Sequence, residues 1–188
     1  DPVVQPGFRI DRSHRVATAG SCFAQHIART LQRDGFNYFV VDDEPALDAA
    51  ARAERGIGVF SARYGNLYTA RQLVQLFDRA FGELHPADTA WQRPDGRFVD
   101  PFRPQIEAAG FADAAAVAEA AREHLGHVRR LFHELDVFVF TLGLTEAWRH
   151  REDGLVVPLA PGVVASSPRP DSHEFVNFGV EEVERDLR

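Results

Sequence analysis

Short apolar runs alternate along this chain with stretches of helical period. Arg15 to Ala19 (RVATA) is a brief, partly β-branched run that stops at Gly20-Ser21, the pattern of a short buried strand. From Cys22 to Asp34, Phe23, Ile27 and Leu31 recur at helical spacing, and Gly35 stands where a C-terminal cap glycine belongs. Asn37 to Val41 (NYFVV) reads as a second buried strand. Asp42 to Gly58 is acidic and alanine-rich, with room for one short helix, and Gly58 to Tyr68 suits a loop or short strand. Thr69 is placed to N-cap a helix over Ala70 to Phe81, with Leu73, Leu76, Phe77 and Ala80 on one face.

Residues 85–104 are rich in Pro, Asp and Gly and read as a loop excursion, with a turn at Pro94-Asp95-Gly96. Asp113 is an N-cap for a long helix that runs to Leu135. Asp136 to Leu142 (DVFVFTL) is apolar on both faces, which predicts a central strand. Past Gly143 the spacing predicts a Pro- and Ser-rich loop region until a last helix begins near Val180. Strand, helix and strand in this order predict a right-handed βαβ unit, a mainly parallel sheet and an α/β sandwich.

Composition narrows the picture. The 188 residues suit a single domain, with 45% apolar and 26% charged residues, as in ordinary globular proteins. No apolar run approaches the ~18 residues of a membrane span, so none is expected. The single cysteine excludes an internal disulfide framework and a cysteine-rich zinc cluster, and with no visible signal peptide it points to the cytoplasm. Net charge is −7, from 28 acidic and 21 basic side chains, and every basic residue is arginine. The arginines are scattered rather than striped, so no nucleic-acid partner is expected. There is no methionine, and the closing VEEVERDL run lacks a stop signal. The chain therefore reads as a piece of a longer protein, incomplete at its C-terminus.

In an open parallel sheet, ligands bind beyond the carboxyl ends of strands. Two such ends carry chemistry here: Gly20-Ser21-Cys22-Phe23-Ala24 and Gly143-Leu144-Thr145-Glu146. Ser21 stands at a strand-to-helix turn, where unpaired N–H groups and the helix dipole favour an oxyanion. The same position suits an ordinary serine N-cap, and Phe23 breaks the G-x-S-x-G elbow. Cys22 is a rival thiol at a helix N-terminus, or a small buried hydrophobe. His124 and His127 share a helix face at spacing three without a completing carboxylate pattern, so solvated histidines and no metal are expected. His26 lies about one and a half turns past Ser21 and points elsewhere. His173 has the wrong spacing for a base and is kept as a remote candidate. Arg63, Arg71, Asp100, Arg103, Glu146 and Trp148 complete the set. Arg and Trp suit sugar or anion contacts, whereas an Asp100–Arg103 pair over Trp148 suits loop anchoring.

The run TAGSCFAQHIARTL resembles the signature of the GSCFA family. The resemblance continues through FSARYGNLYTARQLVQLFDRAFG, FVDPFRP and LDVFVFTLGLTEAW in collinear order. That family is similar to the SGNH hydrolases, lipase- and esterase-like enzymes with a flavodoxin-like α/β/α sandwich. The resemblance implies Ser21 as nucleophile and the Gly65 amide as an oxyanion donor, with Gly143-Leu144-Thr145-Glu146 in the place of the block whose asparagine completes the hole. Thr145 has only a hydroxyl there, so Asn66 is the alternative donor. The Asp-x-x-His block that would carry the base has no counterpart in these residues. The implied activity is hydrolysis of an acyl ester, such as O-acetyl, on a carbohydrate or small molecule, without a cofactor. Alternatives are an acyltransferase on the same scaffold and a non-catalytic ligand-binding module.

Overall fold

The computed structural model describes residues 7–169 and 171–188. Its first strand, β1 (Val16–Ala19), runs into helix α1 (Cys22–Arg33), as the pattern predicts. The short helix α2 (Ala49–Glu54) follows, then α3 (Ala70–Phe81) and the long α4 (Ala114–Glu134). Capping side chains define these starts. Thr69 forms a reciprocal capping box with Gln72, and Asp113 accepts from Ala116 N at 2.8 Å. Gly82 ends α3 in the left-handed conformation that glycine adopts without penalty.

Strand β4 (Val137–Phe140) pairs in parallel with β1, Val16 opposite Val137 and Ala19 opposite Phe140. The centre of this arrangement is β1, whose four residues are all buried, whereas β4 is half-buried and pairs on one side only among the described residues. Apolarity on both faces of β4 therefore marks packing against phenylalanines, Phe132 among them, and not a central place. The expected strand at Asn37–Val41 shrinks to one parallel bridge, at Tyr38 opposite Val16. The reason lies at the next position of β1. Ser61 Oγ accepts from Thr18 N at 3.2 Å, and Tyr64 OH donates to the Thr18 carbonyl. Side chains thus take the edge that a continuing strand would need, and Val41 N turns to the Ser61 carbonyl instead, at 2.9 Å.

The excursion at residues 85–104 holds a hairpin, β2 (Trp91–Gln92) and β3 (Phe98–Val99), closed at the predicted Pro94-Asp95-Gly96 turn. Beyond Gly143 the predicted loop region is in fact a three-stranded antiparallel sheet: β5 (Glu146–His150) lies between β6 (Val156–Val157) and β7 (His173–Asn177). Its strands are short, carry charged residues and are separated by Pro and Ser. Their pairing is legible only from partners far along the chain. Helix α5 (Val180–Asp186) packs on α3, tied by Arg71 Nε donating to Asp186 Oδ1 at 2.8 Å. One core unites β1, α3, α4 and the 62–67 segment. A second gathers Trp91, Val99, Val157 and Ala165 on one face of the antiparallel sheet, and a third gathers Ala147, Val156 and Phe178. The protein is an α/β fold of small mixed sheets and helices.

Candidate functional site

The turn after β1 is built on a close approach. Gly20 has φ +141°, and a Cβ there would lie 2.0 Å from Thr141 Oγ1 just past the end of β4, so only glycine fits. Ser21 then caps α1 in extended conformation, its Oγ accepting from Phe23 N at a long 3.4 Å. The Gly20 carbonyl accepts from Leu67 N at 2.9 Å, and the Tyr68 carbonyl accepts from Leu144 N at 2.8 Å. At Gly143 an added Cβ would meet Tyr68 O at 3.3 Å and Ser21 Cβ at 3.9 Å. Three chain segments, 20–21, 67–68 and 143–144, therefore meet at the carboxyl end of the parallel pair.

Gly65 has φ +74° and lines an open cleft of about 610 Å³ together with Asn66, Tyr68, Phe102, Arg103 and Ile106. Ser21 is half-buried at the turn and is not among the walls of that cleft. Asn66 Oδ1 accepts from Gln25 Nε2 at 3.0 Å, and its Nδ2 donates to Tyr68 OH at 3.2 Å. Thr145 is exposed, and its hydroxyl donates to Asn177 Oδ1 at 2.6 Å, across the start of β5. Glu146 is exposed opposite Asn177. Trp148 packs against Trp91 and Val157 in the second core, edge-on to Phe175 at 5.9 Å.

Arg103 is buried and donates from Nε to Asp100 Oδ2 at 2.9 Å and from Nη2 to the Ala120 carbonyl at 2.9 Å. This is the loop-anchoring pair expected from FVDPFRP. Arg63 is also buried, bonded to Glu107 Oε1 at 2.8 Å, and it holds φ +38°, a strained value for a residue with a Cβ. The Arg63–Glu107 pair and Arg103 line a separate charged cleft of about 600 Å³ with Asp42, His124 and His127. Arg71 serves the α3–α5 contact and stacks over Phe178 at 5.0 Å.

None of the eight histidines is bonded to Ser21. His26 is held by Arg29 Nη2 at 3.1 Å. His173 bonds Ser172 Oγ through Nδ1 at 2.9 Å and lies edge-on to Trp91. It pairs with His150 at the far end of β5, four residues and ~13 Å of strand from Glu146. His124, expected to be solvated, is instead buried against α3, and burial together with Arg103 and Arg79 pushes its pKa well below the usual value. Cys22 is exposed, and among the described residues no group of acidic, His or Cys side chains is arranged to hold a metal ion.

Sequence reasoning passed over Arg79, Asp42 and Gln75, all of them buried. A polar residue on the apolar face of a predicted helix was the available signal for Arg79 and Gln75, because Leu76 and Ala80 flank them on that face. Nothing local distinguishes Asp42.

A model of the GSCFA family matches residues 15–188. The chain belongs to that family. The match takes in β1 through α5, including every segment that meets at Ser21, so the GSCFA turn and the LGLTE turn are parts of one family domain. No curated protein and no solved structure matches the chain. No described helix is long and apolar enough to cross a membrane.

Proposed function

We propose that this GSCFA domain carries an SGNH-like serine ester-hydrolase site. Ser21 is its nucleophile, and its substrate is an acyl (O-acetyl) ester of a carbohydrate or small molecule. One observation carries the reading: Gly20-Ser21, Leu67-Tyr68 and Gly143-Leu144 converge at the carboxyl ends of a parallel strand pair, with Ser21 at the start of a 12-residue helix. The parallel β1–β4 pair with helices packed on it also supports a relation to the flavodoxin-like sandwich.

In the proposed reaction Ser21 Oγ bonds to the carbonyl carbon, and the carbonyl π electrons move to its oxygen. That oxyanion is stabilised by the amides of Ser21 and Gly65, with the second Nδ2 hydrogen of Asn66 as a further donor. Thr145 is left out, since its hydroxyl is committed to Asn177. The serine proton passes to a base, and collapse of the adduct expels the alcohol, leaving an acyl-serine that water releases as the acid. No described histidine hydrogen-bonds Ser21, so in this proposal the base is another group or solvent.

The test is labelling by a fluorophosphonate, with hydrolysis of p-nitrophenyl acetate measured in parallel, for the wild type and Ser21→Ala. Without a positioned base, this chain alone should give slow turnover, up to roughly 10³-fold over the uncatalysed rate, from the hole and binding. Ser21→Ala should abolish both label and excess turnover. Equal labelling in the two proteins removes Ser21 as nucleophile. A second reading, a ligand-binding module without turnover, is favoured by the Thr145–Asn177 bond and by the absence of a histidine on Ser21. Stabilisation by a sugar ester with no label and no product would establish it.

A further inference from the structure

Behind the wall of Phe102, Arg103 and Pro158 lies a second, smaller pocket, lined by residues of α3, α4, β6 and the 100–103 loop. Arg79 enters it from α3. This arginine is only 8% exposed, and its Nε has no acceptor among the described residues. Its guanidinium carbon sits 3.7 Å from the centre of the Phe102 ring, a cation–π contact that offers no lone pair in the plane of the N–H groups.

The neighbouring acceptors are engaged by groups other than Arg79. Asp100 Oδ1 accepts from Phe102 N at 3.0 Å, and Oδ2 accepts from Arg103 Nε at 2.9 Å. Gln75 gives both its amide oxygen and its amide nitrogen to Val156. Gln72 Oε1 accepts from Tyr68 N and Thr69 N. Facing the cavity with them are two donors, the Arg79 guanidinium and the Gln72 amide nitrogen, and the His124 ring.

The charges point the same way. Asp100 and Arg103 neutralise each other, His124 is neutral, and Arg79 remains. Burial draws the Arg79 pKa down only to about 10, so it is a cation at neutral pH. A buried cation is costly unless charge of opposite sign faces it, and Asp100 is shared here between Arg79 and Arg103. The free space within the cavity is about 20 Å³, room for a single water-sized occupant, which limits the size of any further partner.

We infer that this cavity is a binding site for one halide ion, held by Arg79. The anion would complete the joint between α3, α4 and the FVDPFRP loop. The site is independent of whether Ser21 is a nucleophile. Its occupancy should be read in stability, because a ligand that binds only the folded chain raises the unfolding temperature.

Thermal unfolding of the chain is measured in sodium gluconate, chloride, bromide and acetate at equal ionic strength, for wild type, Arg79→Gln and the surface variant Arg151→Gln. At tenfold excess over its dissociation constant, a bound anion should raise the midpoint by about 3–6 °C relative to gluconate. The rise should be lost in Arg79→Gln and kept in Arg151→Gln. A rise in both chloride and bromide supports the halide site, and a rise in acetate alone would overturn it. Anomalous diffraction from bromide-soaked crystals supplies the second readout: a peak within hydrogen-bond reach of Arg79 is expected if halide binds. Equal midpoints in all four salts, with no peak, would overturn the inference and leave water as the occupant. If Arg79→Gln does not fold, the wild-type salt series and the bromide map decide the matter by themselves.

Discussion

Asp42 shows how one side chain can set the pH behaviour of the fold. Its Oδ1 is buried without a donor, and burial pushes the carboxyl from the usual 3.8 up to about 6, against the pull of His127 and Arg63. Between those two values the folded chain holds a proton that the unfolded chain has released. Stability therefore falls as pH rises from about 4 through 6, and the penalty is fully present above that window. It amounts to at most about 3 kcal/mol. Asn at this position stays neutral at every pH. Asp42→Asn should accordingly be more stable than wild type at pH 8, with the gap closing below pH 4. Urea midpoints across that range check it, and a constant offset between the two proteins would show that Asp42 does not titrate as its burial requires.

At the scale of elements, helices here finish what short strands cannot. Strand β6 is two residues long and pairs with β5 along one edge. Its other edge is met by Gln75 of α3, whose Oε1 accepts from Val156 N at 2.9 Å while Nε2 donates to Val156 O at 2.5 Å. A side-chain amide thereby stands in for a neighbouring strand, much as Ser61 and Tyr64 do beside β1. Gln75→Leu would strand both backbone groups of Val156, a residue with no solvent exposure. The expected cost is about 2–4 kcal/mol, measurable by chemical denaturation. Gln75→Glu keeps the acceptor but buries a carboxylate against the Val156 carbonyl, so its cost should rise with pH. A neutral Gln75→Leu would mean that β6 draws its stability from β5 alone.

The whole molecule is organised around β1, and this makes β4 the outer strand of the parallel pair. Val137 N bonds to Arg15 O and Thr141 N to Ala19 O, so the alternate amides of Phe138 and Phe140 face away from β1. An unpaired edge exchanges its amide hydrogens readily. In hydrogen exchange, the amides of Phe138 and Phe140 should be lost early, while those of Val137, Val139 and Thr141 persist. Strong protection of Phe138 and Phe140 would mean that another segment or a second copy covers the edge.

Much of this arrangement was readable before any fold was known. Where the deciding interaction spans a few residues, the sequence carries it in full: the Thr69–Gln72 capping box, the Asp113 cap, the turn at Gly96 and the Asp100–Arg103 pair all lie within three or four positions. The Gly20-Ser21 turn and the family membership were legible for the same reason, as a contiguous motif. The tertiary structure alone decided three further things. It made β1 rather than β4 the buried strand, because centrality depends on what flanks both edges and not on a strand's own apolarity. It assembled residues 146–177 into an antiparallel sheet whose pairs lie up to 31 positions apart, as Glu146 and Asn177 do. And it drove His124 and Arg79 inward between two helices, since a helix face reveals its burial only when the second helix is in place.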